Sequence, residues 1–350
     1  MIQAQGEERP MNQGSVRIAI AGAGSIGCYV GGALAAADRN VVLLGRERIV
    51  DAVRSNGLRI SDHEGRERLV DAQGIDATAD PAAALRDADI VLVTAKSAAT
   101  PEIAGLVAAH APAGAVVASL QNGMGNADLL RRALPQRTVL AGMVPFNVVQ
   151  QAAPDQPFHV HRASSGKVLV EPGEEGLARL LDVDGLPTGE HSDIRAVQWG
   201  KLLLNLNNAL VALSDRTLVE ELSDRRWRRI LAAMIGEGLA AMKAAGIRPL
   251  AAAGPPPALI PHVLRLPDAL FGLLARRMLA IDPKARASMW DDLVQLRPTE
   301  IGELQGAIVA MAQANGLTAP VNAEVMRLVR LAEEAGEGSP GLSPDAVSPA

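Results

Sequence analysis

Cysteine and aromatic residues are scarce in this 350-residue chain, which contains one Cys and 2% Phe, Trp and Tyr. A single cysteine, Cys28, excludes an intramolecular disulfide and suits a reducing compartment. Because it stands beside a glycine-rich turn, we expect Cys28 to be a small buried side chain rather than a reactive thiol. With 48% hydrophobic residues but few rings, the core must consist mainly of Ala, Val, Leu and Met.

A net positive charge and long apolar runs are also missing. The formal net charge is −5, so nothing favours a general affinity for nucleic acid. No apolar run approaches the ~18 residues of a membrane helix, and residues 1–10 lack the apolar stretch of a signal peptide. The six histidines show no paired metal-ligand spacing. We therefore expect a soluble cytoplasmic protein with no metal, nucleic-acid or membrane partner.

A glycine-rich stretch near the start is the most informative feature that is present. Val16–Ile20 is a short apolar run typical of a buried strand, and an Ala-rich helical segment follows the G-x-G-x-x-G spacing. A strand, such a turn and a helix together predict a dinucleotide site, with phosphates at the helix N-terminus. The alternative is an ordinary glycine-rich turn of an α/β protein. The expected cofactor-binding residues here are Gly22, Ala23, Gly24, Ser25, Ile26 and Gly27.

The end of the next strand indicates which dinucleotide is bound. Val41–Leu44 is followed by Gly45, Arg46 and Arg48. An acidic residue at this place takes the ribose 2′-hydroxyl of NAD, whereas an arginine accommodates the 2′-phosphate of NADP. Arg46 therefore favours NADP, although two solvated arginines at a helix start are the alternative.

Two further strands end in polar residues that are candidates for ligand contacts. Ile90–Thr94 leads to Lys96, and Val116–Leu120 leads to Asn122. The carboxyl ends of parallel strands line the ligand crevice. Lys96 is thus a candidate cofactor contact or a surface lysine, and Asn122 is a candidate contact to both nicotinamide and substrate.

The pattern changes near residue 190, where strand-like runs cease and helical periodicity begins. We predict an α/β fold in which an N-terminal Rossmann dinucleotide-binding domain is followed by an all-α C-terminal domain. The predicted organisation is a flexible tail (1–14), an NADP-binding domain (15–190), a helical substrate and catalytic domain (191–335) and a disordered tail (336–350).

One predicted helix, Asp193–Leu213, carries a polar stripe. Lys201, Asn205 and Asn208 stand at i, i+4 and i+7, on one face of an otherwise apolar helix. Because unpaired burial costs about 1–3 kcal/mol per group, the stripe must face a ligand, a partner or water. A partly desolvated lysine is a usable proton donor, so the stripe is either a catalytic face or a solvent-facing one.

A third polar group lies near the C-terminal end. Ser288 and Asp292 share a face of a short predicted helix. Thr299 is then a plausible N-cap for a helix running to Ala314, with Glu300 in its first turn. The pattern alone favours a dipole-stabilising role for Glu300.

Taken together, these motifs resemble the ketopantoate reductase (2-dehydropantoate 2-reductase) family from about Val16 to Val329. The matching pieces, in chain order, are A-G-A-G-S-I-G from Ala21, G-R at Gly45, T-A-K-S from Thr94, Q-N-G-M-G from Gln121, W-G-K-L-L-L-N from Trp199, S-M-W-D-D-L from Ser288 and R-P-T-E-I from Arg297. The resemblance implies NADPH-dependent reduction of 2-dehydropantoate, in a groove between a Rossmann domain and a helical domain.

The resemblance also assigns roles to the candidate residues. Lys201 is expected to donate a proton to the ketone oxygen, with Glu300 as the carboxylate beside it and the nicotinamide ribose. Asn122 is expected to contact cofactor and substrate, and Lys96 to lie near the cofactor. The residues expected to bind substrate are Asn122, Lys201, Asn205, Asn208 and Ser288, with Asp292 in support.

The chain departs from the family pattern at three places. Ala209 stands where the family frequently has a second asparagine. A further asparagine of the family has no match in this chain near Val219, and Gly302 stands where the family commonly has Asp. Two alternatives therefore stay open: an NADP-dependent reductase of another 2-keto acid on this scaffold, or a non-catalytic NADPH-binding protein. The expected partner is a small keto acid, and a homodimer is a possible assembly.

Overall fold

The computed structural model of the protein describes residues 16–151, 157–173, 176–251, 255–274 and 286–347. The tail expected over residues 1–14 lies outside the described residues. Among those that are described, no helix is both long enough and apolar enough to cross a membrane.

The chain forms two compact units. One comprises Met1–Gln121 and Ala127–Ser192, and the other comprises Asn122–Asn126 and Asp193–Ala350. The division after Ser192 lies close to the expected boundary at residue 190. The short segment that follows strand Val116–Ser119 groups with the second unit, whereas the sequence placed it in the first.

The first unit is built on a predominantly parallel sheet, as the apolar runs predict. The strands of this unit are β1 (Arg17–Ala21), β2 (Asn40–Leu44), β3 (Leu58–Asp62), β4 (Glu67–Val70), β5 (Asp76–Thr78), β6 (Ile90–Val93), β7 (Val116–Ser119), β8 (Val139–Met143), β9 (Val148–Gln150), β10 (Phe158–Arg162), β11 (Val168–Val170) and β12 (Thr188–Glu190). Eight of these described strands pair in the order β12-β11-β8-β7-β6-β1-β2-β5. Within this sheet only β8 and β11 run antiparallel. Its central strands β6 and β7 are buried except for the half-buried Val116, which is typical of parallel strands in the middle of a sheet.

A second sheet in this unit has the order β4-β3-β10-β9. Along β3, buried Leu58 and Ile60 alternate with half-buried Arg59 and Ser61. This alternation is typical of a sheet with one packed face and one face toward solvent. Strands β3 and β4 are antiparallel neighbours joined by a turn.

Helices of the first unit follow the strands. They are α1 (Ser25–Ala35), α2 (Glu47–Asn56), α3 (Pro81–Leu85), α4 (Thr100–His110), α5 (Asn126–Ala133) and α6 (Leu177–Leu181). Cys28 is fully buried on α1, and burial raises its pKa to about 12. The prediction that Cys28 is a small buried side chain is therefore confirmed.

The second unit is helical in its described part, as predicted. Its helices are α7 (Ile194–Asn205), α8 (Asn207–Ser214), α9 (Leu218–Ser223), α10 (Arg225–Ala244), α11 (Ile260–Leu264), α12 (Asp268–Leu274), α13 (Ser288–Val294), α14 (Gln305–Ala314), α15 (Pro320–Ala335) and α16 (Pro344–Val347). They surround a core in which Trp199 and Trp227 are the large rings, packed among Leu, Met and Ile side chains.

Two helix predictions are wrong in their bounds. The single helix expected over Asp193–Leu213 is broken at Leu206, which ends α7 and precedes α8. The helix expected to begin at Thr299 begins instead at Gln305. Thr299 is therefore not its N-cap, and Glu300 lies in the turn that precedes the helix.

The prediction of a disordered C-terminal tail from residue 336 is also wrong for residues 336–347. Ser339 Oγ donates a hydrogen bond to the carbonyl of Ala212, and the backbone N–H of Leu342 donates to the carbonyl of Leu213. Val347 is fully buried. The Gly, Ser and Pro composition suggested disorder, but these hydrogen bonds and the buried valine hold the segment against α8.

Candidate functional site

The glycine turn of the first unit has the backbone geometry that a phosphate site needs. Gly22 has a φ of +116°, and a Cβ there would lie 2.5 Å from the backbone nitrogen of Ala95. At Gly27 a Cβ would overlap the carbonyl oxygen of Gly22, whereas Gly24 has open space beside it. Only glycine fits the first and third positions, and the second leaves room for a ligand to approach the backbone.

Helix α1 begins directly after this turn. Gly24 precedes it, and no side chain in the described part of the chain caps its N-terminus. The first-turn N–H groups of a helix carry partial positive charge and need partners. A residue that the sequence analysis missed, Thr94, fixes the turn: its hydroxyl donates a 2.8 Å hydrogen bond to the carbonyl of Gly22. The turn therefore fits a dinucleotide pyrophosphate.

The two basic cofactor candidates lie at strand ends of the same unit. Arg46 follows β2 and precedes the first residue of α2, with its side chain exposed. Lys96 follows β6 and is also exposed. Both stand at carboxyl ends of parallel strands, where α/β folds bind ligands. Their exposed cationic groups are suited to phosphate.

Asn122 belongs to the second unit and lies in a tight turn. Gly123 and Gly125 adopt φ values of +79° and +84°, which favour glycine. The Asn126 amide donates a 2.8 Å hydrogen bond to the Asn122 carbonyl. The Asn-Gly-Met-Gly sequence thus folds into a turn in which the Asn126 amide fixes the backbone of Asn122.

Asn122, Lys201 and Glu300 meet in the second unit. Lys201 Nζ donates a 2.6 Å hydrogen bond to Asn122 Oδ1, and Asn122 Nδ2 lies 3.5 Å from Glu300 Oε2. An ammonium only donates and a carboxylate only accepts. The Asn122 amide is therefore oriented with its oxygen toward the lysine and its nitrogen toward the glutamate.

The environment of Lys201 changes its acidity. Burial lowers the pKa of Lys201 to about 8, and the negative charge of Glu300 opposes this shift. Desolvation disfavours the charged form of a lysine, while a nearby carboxylate favours it. An ammonium whose pKa lies near neutrality is a far better proton donor than an ordinary lysine.

A small cleft adjoins this trio. Polar side chains dominate its wall, and six of the residues that line it were predicted from sequence. The lining residues are Asn122, Asn205, Asn208, Ser288, Met289, Asp292, Glu300 and Leu304. Amide and hydroxyl donors beside a lysine suit a small molecule that carries a carboxylate and a hydroxyl or carbonyl oxygen.

The break between α7 and α8 places two of these asparagines. Gln305 is fully buried, and its Nε2 donates a 2.8 Å hydrogen bond to the carbonyl of Leu206. Asn205 ends α7, whereas Asn208 lies in the first turn of α8. Sequence analysis missed Gln305, because a glutamine in an apolar helix gives no signal of which carbonyl it binds.

Asp292 and Ser288 lie on α13 and have different surroundings. Asp292 is buried, and its carboxylate forms a 3.1 Å ion pair with Arg297. Ser288 is exposed in the first turn. Asp292 is therefore suited to support the cleft wall, while Ser288 presents its hydroxyl at the surface of the cleft.

Close packing beside the lysine depends on Gly200. A Cβ at this position would overlap the backbone carbonyl oxygen of Leu250. The Leu250 N–H in turn donates a 2.9 Å hydrogen bond to the carbonyl of Ala196. The Trp-Gly-Lys sequence thus lets a second chain segment lie directly against α7 next to Lys201.

These features define a Rossmann-type, dinucleotide-dependent oxidoreductase. A family model described as ketopantoate reductase PanE/ApbA matches residues 18–175, and the model of its C-terminal domain matches residues 193–333. The chain belongs to the ketopantoate reductase family.

Individual relatives agree with this assignment. The 2-dehydropantoate 2-reductase of Halobacterium salinarum is 29% identical over 92% of this chain and 100% of its own length. The crystal structure of a PanE/ApbA family ketopantoate reductase from Ralstonia eutropha JMP134 is 31% identical, with a TM-score of 0.75 over 92% of this chain and 100% of that one. A ternary structure of D-mandelate dehydrogenase with NADH and anilino(oxo)acetate is 20% identical, with a TM-score of 0.74 over 92% and 99%, and shares the fold.

Proposed function

We propose that the protein reduces 2-dehydropantoate to pantoate with NADPH, a step of pantothenate and coenzyme A biosynthesis. The observation that carries this proposal is the hydrogen bond of Lys201 to Asn122 beside Glu300. A lysine with a pKa of about 8 supplies a proton at neutral pH. The adjoining cleft offers amide and hydroxyl groups for a small hydroxy acid.

The choice of NADPH rests on the first unit. The N-terminus of α1, which no described side chain caps, and the open space at Gly24 suit a pyrophosphate. Arg46, exposed at the end of β2, is proposed to hold the 2′-phosphate, and Lys96 to lie near the cofactor. When bound, NADPH supplies the hydride that adds to the keto carbon.

The remaining steps belong to side chains of the second unit. Asn205, Asn208 and Ser288 hold the carboxylate and hydroxyl of the acid. Lys201 donates its proton to the alkoxide that develops on the carbonyl oxygen, and its charge stabilises that oxygen beforehand. Asn122 fixes the ammonium in place, and Glu300 keeps it protonated by its negative charge.

A second function is favoured by one observation. Ala209, where the family frequently has asparagine, is fully buried. Its neighbour Asn207 is buried too and does not line the cleft. The cleft thus takes its second asparagine from position 208 instead of position 209, and this displaced amide favours a 2-keto acid other than 2-dehydropantoate as the alternative substrate.

A substrate panel tests these proposals. Oxidation of NADPH is followed by absorbance with 2-dehydropantoate, pyruvate and larger 2-keto acids, and NADH is used in a parallel series. The highest kcat/KM is expected with 2-dehydropantoate and NADPH. A higher value with another 2-keto acid supports the alternative. If the protein binds NADPH but does not oxidise it with any of these acids, it is a non-catalytic binding protein.

Two further proposals concern assembly and location. The homodimer stays a prediction, which the molar mass in solution tests. A cytoplasmic location is supported by the buried cysteine, which forms no disulfide, and is tested by fractionation of cells.

A further inference from the structure

A buried acid pairs with the residue that precedes Asn208 of the cleft. Glu221 on α9 is fully buried, and Asn207 at the start of α8 is buried as well. Asn207 Nδ2 donates a 3.1 Å hydrogen bond to Glu221 Oε2. The two remaining oxygens, Glu221 Oε1 and Asn207 Oδ1, are buried without a hydrogen-bond donor in the described part of the chain.

No cation among the described residues donates a hydrogen bond to this carboxyl. Arg228 on α10 is a fully buried cation near Glu221. All five of its N–H groups are used elsewhere, because they donate to the carbonyls of Leu222, Ser223, Leu264 and Leu266 and to Asp268 Oδ1. The other charged groups that act on Glu221 are Asp224 and Arg216. Neither side chain makes a described hydrogen bond to its carboxyl group, and the backbone N–H of Asp224 donates to the backbone carbonyl of Glu221 instead.

One proton satisfies both orphaned oxygens. An ionised Glu221 would leave two acceptors buried together, at a cost of about 1–3 kcal/mol or more for each. A protonated carboxyl instead has one O–H donor and one acceptor oxygen, the complement of an amide. We propose that Glu221 keeps its proton at neutral pH and forms a two-bond acid–amide pair with Asn207, which positions α8 and hence Asn208 in the cleft.

The acidity of Glu221 agrees with this pairing. Burial raises its pKa to about 8, against the lowering effects of the Asn207 hydrogen bond, Arg228 and Arg216. Because the ordinary value is 4.5, the folded state binds a proton that the unfolded state has released between these pH values. The stabilisation from the protonated pair is therefore complete below about pH 4.5, declines as the pH rises and is lost above about pH 8.

The test compares Glu221→Gln with Glu220→Gln in the full-length protein. Glutamine at 221 is neutral at every pH and can form the same two bonds with Asn207. Glu220 is exposed and closes a capping box with Thr217, a role that glutamine also fills. Infrared difference spectra at pH 7 are expected to show the carbonyl band of a protonated carboxylic acid in the wild type and in Glu220→Gln, and its loss in Glu221→Gln.

Thermal unfolding from pH 4.5 to 9 supplies the second readout. The midpoint of Glu221→Gln should fall less between pH 5 and 8 than those of the wild type and Glu220→Gln. If Glu221→Gln does not fold, the carboxylic acid band of the wild type decides the proposal. That band must disappear as the pH is raised through about 8. A wild type without a carboxylic acid band at pH 7, or equal pH dependence in both variants, would overturn the proposal.

The role in positioning rests on the proposed function, because it assumes that Asn208 binds the keto acid. It is tested by KM. Above pH 8 the wild-type KM for the acid should rise severalfold, and the rise should be smaller in Glu221→Gln. An equal rise in both proteins would contradict positioning. The infrared and unfolding readouts need no substrate, so they decide the acid–amide pair even if the proposed reaction is absent.

Discussion

Lys201 Nζ and Asn122 Oδ1 are joined by a 2.6 Å hydrogen bond across 79 residues of sequence. The asparagine comes from the turn after β7, and the lysine from the middle of α7. Because the lysine can only donate, the bond also fixes which way the amide faces. The placement of the ammonium therefore depends on a turn distant in sequence as well as on its own helix.

The pH dependence of kcat is expected to report Lys201. The protonated amine predominates below its pKa of about 8, so reduction should be fast at pH 6–7. Above pH 8, kcat should fall by about tenfold per pH unit as the proton donor is lost. The measurement is kcat with saturating NADPH and keto acid from pH 6 to 10. A flat profile would contradict a lysine proton donor.

Glu300→Gln is expected to move that alkaline limb to lower pH. The carboxylate raises the pKa of Lys201, so its neutralisation should lower the pKa below about 8. The matched control is Glu303→Gln. Glu303 lies in the same turn, where its backbone N–H donates to the Glu300 carbonyl, but it does not line the cleft. Equal shifts of the alkaline limb of kcat in the two variants, or no shift in either, would contradict a role of the Glu300 charge in setting the pKa of Lys201.

Cofactor preference is expected to depend on Arg46. Arg46→Glu should weaken NADPH binding by at least about tenfold, since a hydrogen bond to a charged group contributes about 1.5–3 kcal/mol. NADH, which lacks the 2′-phosphate, should be much less affected. Arg48→Glu introduces the same charge change two residues further on and serves as the control. Equal weakening of NADPH and NADH in fluorescence titrations would point to a damaged fold.

Gly200→Ala is expected to destabilise the protein by about 1–3 kcal/mol, because a Cβ would displace the backbone at Leu250. The control is Gly236→Ala on α10, where nothing lies within 4 Å of the added atom. That variant should gain about 0.5–1 kcal/mol from helix propensity. The measurement is denaturant unfolding of both. A neutral Gly200→Ala would show that the Leu250 segment moves aside readily.

Local patterns predicted much of the fold. Strand β6 is a continuous apolar run and β7 is apolar up to Ser119, a signal that comes from burial on both faces. The break at Leu206 had no such signal, because it is held by Gln305 from a helix about a hundred residues later. The tail beyond Gly336 was misjudged for a similar reason: composition does not reveal its hydrogen bonds to α8.

The site was predicted in part by spacing and in part by resemblance. The stripe of Lys201, Asn205 and Asn208 followed from helical periodicity. Glu300 looked like a first-turn acid, and the resemblance alone placed it beside the lysine. Glu221 gave no signal at all, because the residues Glu220 and Glu221 look alike in sequence. Only packing makes one an exposed cap and the other a buried acid.

A single-turnover comparison of Lys201→Ala with the wild type tests the central claim most directly. Enzyme in excess over NADPH is mixed with 2-dehydropantoate, or with the best acid of the substrate panel, and the loss of nicotinamide absorbance is followed at pH 7. The account predicts a rate at least ~10²-fold lower in Lys201→Ala with NADPH affinity unchanged. A variant that oxidises NADPH at the wild-type rate would contradict it.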